Sequence, residues 1–198
     1  MPSLEEVCVK LFGHPKWVPK VLIGGALSFI PILNIFAFGY LLEYSRRLRT
    51  NRDWELPEWK ELNAGLLFSN GLQLLLIILG YFGIPTLLGW AISILIKNLS
   101  FGFIGILSYL PVTVCVFVTP FLVLAAIHAF LRDGLFTDAW KVSLILRIAH
   151  SFTPKLIIPV ICFWGVITLA LPLYGIAFFL GMWILLAYSS ALNFSKGN

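Results

Sequence analysis

The sequence predicts an all-α, polytopic membrane protein of about five spans, and three observations predict it. Charge is scarce: Asp, Glu, Lys and Arg make up 12% of the 198 residues, against ~25% in soluble domains. The shortage is concentrated in three runs. Residues 21–42 and 156–195 carry no charge, and residues 62–131 carry only Lys97. Each run meets or exceeds the ~20 residues a helix needs to cross a ~30 Å hydrocarbon core. The runs are also continuous rather than alternating. In lipid only helices or closed barrels pair every backbone group, and a barrel strand would alternate.

The elements follow in order. Residues 1–20 read as an interfacial segment. Ser3 is placed to N-cap a short helix with Glu5 and Glu6 in its first turn, where the helix dipole favours acids. Leu4, Val7, Leu11 and Phe12 give that helix one apolar stripe. Trp17 and Lys20 have the character of interfacial anchors. No cleavage-site pattern follows the first apolar run, so it is not read as a signal peptide.

The run VLIGGALSFIPILNIFAFGYLL carries Pro31 and Asn34 near its middle. Proline removes a helical hydrogen bond and kinks the helix. Length favours one kinked span; a re-entrant pair of half-helices is the alternative. The run 62–131 is assigned two spans. The connectors on either side of it, 43–63 and 132–155, are rich in Lys and Arg, and such short loops stay cytoplasmic. The outer turn then falls at Ile96–Gly102. Each span exceeds 25 residues, so tilting, projection beyond the hydrocarbon, or kinking at Pro85, Pro111 and Pro120 is expected. The last run folds as a hairpin at Ala170–Gly175, with Lys196 back in the cytoplasm. Five spans put the N-terminus outside, with Lys10, Lys16 and Lys20 against the charge bias. A re-entrant first segment removes that conflict.

Between Asp133 and His150 an amphipathic surface helix is expected. Thr137 would be its N-cap, and Leu135, Ala139, Val142, Ile145, Leu146 and Ala149 its apolar face. The whole chain is read as one integral membrane domain.

Polar residues gather in GYLLEYSRRLRTNRDWELPEW, Gly39–Trp59, which holds four arginines and four of the nine acids. Glu43 lies three and four residues before Arg46 and Arg47, so it can pair with either on a helix. Pro57 fixes its own φ and pushes Leu56 into an extended conformation. Glu58 and Glu61 are expected in the first turn of the returning helix. Trp54 and Trp59 suit headgroup level. Clustered arginines beside a span attract anionic lipid, at ~1 kcal/mol per basic residue near the surface. Glu43, Arg46, Arg47, Arg49, Arg52 and Trp59 are therefore the candidate headgroup or partner contacts. The competing reading is a solvated helix end whose charges pair locally and orient the chain. Asn34, Asn70 and Gln73 form a candidate intramembrane polar patch, as helix glue or as a polar path.

Several classes are disfavoured. A sequence pI near 9.2 here reflects membrane orientation rather than nucleic-acid binding. Cys8, Cys115 and Cys162 have no disulfide or metal spacing, and Cys115 and Cys162 read as small core hydrophobes. His14, His128 and His150 lack ligand spacing. No H-E-x-x-H, P-loop, Rossmann or G-x-S-x-G pattern occurs. No carboxylate sits inside the spans, which disfavours proton coupling. The expectation is a non-enzymatic protein without cofactor or metal, contacting anionic lipids, a membrane partner or a second copy.

The ordered set Trp17 to Gly25 (W-x-x-K-x-x-x-G-G), Pro31 to Asn34 (P-I-L-N), Gly39 to Glu43 (G-Y-L-L-E), Arg46–Arg47, Leu56 to Trp59 (L-P-E-W) and Phe68 to Leu72 resembles a known family. It is the prokaryotic multi-pass membrane family known only as domain of unknown function 4013. The likeness is densest over residues 16–72. It implies a membrane fold and brings no activity, cofactor or catalytic residue; the expected location is the cytoplasmic membrane. Two functions remain: a non-enzymatic scaffold or subunit, or a small transporter or lipid-handling protein using the Asn34, Asn70 and Gln73 patch.

Overall fold

A computed structural model describes residues 3–101 and 103–194. Gly102 of the expected outer turn, the first two residues of the 1–20 segment, the last residue of the 156–195 run and Lys196 lie outside the described residues. Every regular element among the described residues is helical. Four helices are long and apolar enough to cross a membrane: Ala64–Leu99, Gly105–Asp133, Val142–Leu169 and Leu171–Leu192. The chain forms two compact units, one from residues 1–75 and 154–198, the other from Leu76–Thr153.

The first unit begins with α1 (Leu4–Phe12). Ser3 and Glu6 cap it reciprocally, each side chain accepting the other's backbone N–H, which satisfies two otherwise orphan donors. Val7 and Leu11 of the predicted stripe are fully buried.

The first apolar run is not one span. It breaks into α2 (Trp17–Ser28) and α3 (Asn34–Asn51), with a turn at residues 29–33. The reason lies at Pro31: it has no N–H to continue the ladder from Leu27 and disfavours helix at Ile30. α2, at twelve residues, is about 18 Å long and falls short of a ~30 Å core.

The last helix of the chain, α8 (Tyr174–Phe194), fixes the directions of α2 and α3. Along α8, Phe29 meets Tyr174, a Cβ on Gly24 would strike Phe179, and Trp17 lies near Trp183. α2 is thus antiparallel to α8. Phe38 packs on Phe178, Tyr40 on Phe179 and Tyr44 on Trp183, so α3 runs parallel to α8. α2 and α3 form a helical hairpin, the re-entrant form of the alternative.

α4 (Ala64–Ile78) returns beside α3. Asn63 caps it, accepting from the N–H groups of Gly65 and Leu66 at 2.8 and 3.3 Å. Glu58 and Glu61 therefore do not sit in its first turn as expected. Glu58 caps and Glu61 ends a separate 3-10 turn, Trp59–Glu61. The connector 43–63 is also shorter than expected, because Glu43–Asn51 continues α3.

In the second unit, a π-helical turn at Leu79–Gly83 joins α4 to α5 (Ile84–Leu99), with Ile84 N–H bonding Leu79 O. The turn lies just before Pro85, which has no N–H to give Tyr81. The expected disruption takes this form. α5 pairs with α6 (Leu110–Asp133). Ser93, fully buried, accepts the N–H of Val112 at 3.2 Å, and Lys97 donates to the Tyr109 hydroxyl at 3.2 Å near the turn. Pro111 enters α6 at its first turn, where a missing N–H costs nothing, so no kink arises there.

The predicted amphipathic helix 133–150 is not a separate element. Residues Phe136–Trp140 form a 3-10 turn, and α7 (Val142–Leu169) then runs uninterrupted through Pro154 and Pro159. Thr137 is no N-cap. Trp140 covers Gly80, and Tyr81 donates to the Ala139 carbonyl at 2.8 Å. Those contacts hold the segment as a tight turn. The hairpin turn expected at Ala170–Gly175 is present as the 3-10 turn Leu171–Leu173.

Candidate functional site

The polar centre of the first unit is built where the open end of the α2–α3 hairpin meets the loop that leaves α3. Arg52 ends α3 in a left-handed conformation, φ 56°. Asp53 then accepts the N–H of Glu55 at 3.0 Å, which bends the chain back. Leu56-Pro57-Glu58-Trp59 lies along the hairpin as a latch.

Lys20 is the residue the latch closes on. It is 4% exposed, not the surface anchor expected. Its ammonium lies 3.2 Å from Glu55 and 3.1 Å from Glu58, and donates to the carbonyl of Leu56. Burying an ammonium is costly unless each proton finds an acceptor; here three acceptors converge. The Trp59 indole N–H donates to the Lys20 carbonyl at 3.2 Å. Its ring stacks on Tyr40 with centroids 3.9 Å apart, and Tyr40 donates to the Pro57 carbonyl at 2.6 Å. Trp59, half-buried, thus fastens the latch to both α2 and α3.

Glu43 pairs with Arg47 at 3.4 Å and Arg46 at 3.6 Å, as its spacing predicts. Arg47 also approaches Glu61 at 4.0 Å. A pocket of about 200 Å³ opens here. Lys20 and Arg47 face Asp53, Glu55, Glu58 and Glu61 across it, two cations against four carboxylates, a net charge of −2. That balance of charge favours a cationic over an anionic group inside the pocket. On the outer side of α3, Arg46 and Arg49 are half-buried and Arg52 is exposed. Trp59 is grouped with Lys20 and Tyr40 rather than with these arginines.

The amide patch is only partly assembled. A Cβ on Gly39 would strike the Leu67 carbonyl, and one on Gly71 the Ile35 carbonyl. α3 and α4 are therefore in backbone contact, which sets Ile35, next to Asn34, against Gly71, next to Asn70. Asn34 Oδ1 and Asn70 Nδ2 are buried without a hydrogen-bond partner. Gln73 is half-buried.

A second, apolar pocket of about 260 Å³ includes Leu4, Cys8, Cys162 and Phe163 in its wall. Cys162 is exposed, so it is not the core residue expected. Lys10 lies 5.0 Å from the centroid of Trp54, and His128 packs edge-on to Phe152. Among the described residues, no group of three or more His, Cys, Asp or Glu could hold a metal ion.

Sequence reasoning missed the partners of Lys20. The available signal was a lysine one hairpin-length from an acidic L-P-E-W loop, in a chain with few other charges.

Helices of this length and apolarity, with polar groups gathered at one hairpin base, define a helical multi-pass membrane protein. The family described as "Protein of unknown function (DUF4013)" matches residues 23–187, and the chain belongs to it. No curated protein and no solved structure matches.

Proposed function

We propose that this protein is a non-enzymatic component of the cytoplasmic membrane, a scaffold or subunit that contacts anionic lipids or partner proteins. One observation carries the reading: the polar groups of its motif are engaged with each other. Lys20, Tyr40, Glu55, Glu58 and Trp59 lock a hairpin, and Glu43 is engaged by Arg46 and Arg47. Residues spent on architecture do not converge on a substrate. The surfaces that meet lipid or a partner are the outer arginine side of α3, with half-buried Arg46 and Arg49 and exposed Arg52, and the apolar surface.

Native mass spectrometry of the protein extracted in mild detergent tests this reading. A stable hetero-complex, or retained anionic lipid, supports it. The variant with Arg46, Arg47, Arg49 and Arg52 all changed to Gln should retain less phosphatidylglycerol than the unaltered protein when both are extracted from vesicles containing it and weighed by native mass spectrometry. Unchanged retention would remove the lipid contact from the proposal.

A second reading rests on the two unpartnered amides. Buried polar groups are ordinarily satisfied, so Asn34 Oδ1 and Asn70 Nδ2 are where a polar ligand of a transporter or lipid-handling protein would bind. A lone protein that retains a defined small molecule, lost in Asn70→Leu, favours that reading.

A further inference from the structure

We propose that the first unit enters a single leaflet with two hairpin ends side by side, and that both end near the bilayer midplane. Residues 29–33 and 169–174 are then a lipid-embedded tip, and the α7–α8 turn does not reach the far surface. This goes beyond the proposed function, because it concerns how the unit meets the lipid rather than what it recruits.

The two ends share one level. The rings of Phe29 and Tyr174 lie 4.8 Å apart, and the Tyr174 hydroxyl donates to the Phe29 carbonyl at 3.4 Å. The first hairpin turn thus meets the second at the start of α8. Both ends are apolar and open: Ile32 is 73% exposed, Leu169 88% and Leu171 65%. An apolar surface of this kind in water marks a membrane or partner contact.

The opposite level is equally well marked. Lys20, Glu55 and Glu58 form a charged cluster beside a polar pocket. From Lys20 to Phe29 is nine residues, about 14 Å of helix. The second hairpin agrees. Lys20 lies between Gly24, which meets Phe179, and Trp17, which lies near Trp183; Phe179 and Trp183 are eight and twelve residues from Leu171, about 12 and 18 Å. On α7 the last charge is Lys155, and the fourteen residues 156–169 cover about 21 Å.

These lengths decide the matter against a ~30 Å core. Were the 169–174 turn at the far surface, Lys20, Glu55 and Glu58 would lie about 14 Å below it, near the bilayer centre, where charge is most costly. With the charged cluster at the near interface, the same 14 Å brings both ends to the middle. α7 and α8 are long enough to cross, but their outer portions are not in the apolar layer. Leu185, Leu186, Ala187, Ala191 and Leu192 of α8 are buried in protein instead.

The test places spin labels at Ile32→Cys, Leu169→Cys and Leu171→Cys. The background has Cys8, Cys115 and Cys162 changed to Ala, and the vesicles are phosphatidylcholine with phosphatidylglycerol. All three positions are exposed, so the fold tolerates the label, and circular dichroism verifies retained helicity. The expected result is high collision with oxygen, low collision with a water-soluble nickel chelate, and no labelling by impermeant maleimide from either side. Nickel access or maleimide labelling at any of the three overturns the proposal, as does protection from oxygen and nickel alike.

Discussion

Lys20 shows how one residue's surroundings set the sign and size of a substitution's effect. Its ammonium is buried, whereas the side chains of Glu55 and Glu58 are both 47% exposed. Removing the carboxylates strands a buried charge, and breaking such a pair costs ~3 kcal/mol or more. Removing the ammonium leaves two carboxylates that water already reaches, so the loss is nearer ~1 kcal/mol. Glu55→Gln/Glu58→Gln should therefore lower the unfolding temperature in detergent more than Lys20→Met does. The reverse order would mean that Lys20 is not buried in solution. The sequence left this residue unreadable for a physical reason. A lysine at the end of an apolar run has the same signature whether it snorkels to water or turns inward. Only the path of the loop from Arg52 to Trp59 distinguishes the two.

At the scale of elements, legibility followed the range of the interaction. The Ser3 cap, the Glu43 pairs, the disruption before Pro85 and the turn near Leu171 are local events, and each stood in the sequence. The break at Pro31 was visible only as a kink, because choosing between kink and turn needs the neighbour that α2 and α3 pack on, α8. The segment 136–140 had an amphipathic period but became a 3-10 turn, because Tyr81 and Trp140 hold it there, tertiary contacts overriding pattern. The α3–α4 contact rests on Gly39 and Gly71, each facing a backbone carbonyl that cannot yield. Gly39→Ala or Gly71→Ala should each cost about 3 kcal/mol by overpacking and separate the helices. Thermal unfolding in detergent checks the first. A loosened α3–α4 pair should also expose Asn70 to solvent, read as faster amide exchange in α4.

At the scale of the whole chain, the hairpin changes the topological count. Both α2 and α3 return to the face they left, so residues 3–20 lie on the same side as the arginine-rich loop after α3. Lys10, Lys16 and Lys20 then agree with the positive-inside bias instead of opposing it. The connector with Arg132 and Lys141 carries the same bias, and Ser143, exposed at the start of α7, reports on it. Both Glu5→Cys and Ser143→Cys should be labelled by an impermeant maleimide only from the cytoplasmic face of oriented vesicles. This pair is informative because a single kinked first span predicts opposite sides for the two probes, whereas the hairpin predicts one. Labelling of Glu5→Cys from outside would require α2 and α3 to cross as one element. That in turn would straighten the turn at residues 29–33, undo the packing of the antiparallel pair α2 and α3 on α8, and part Lys20 from Glu55 and Glu58.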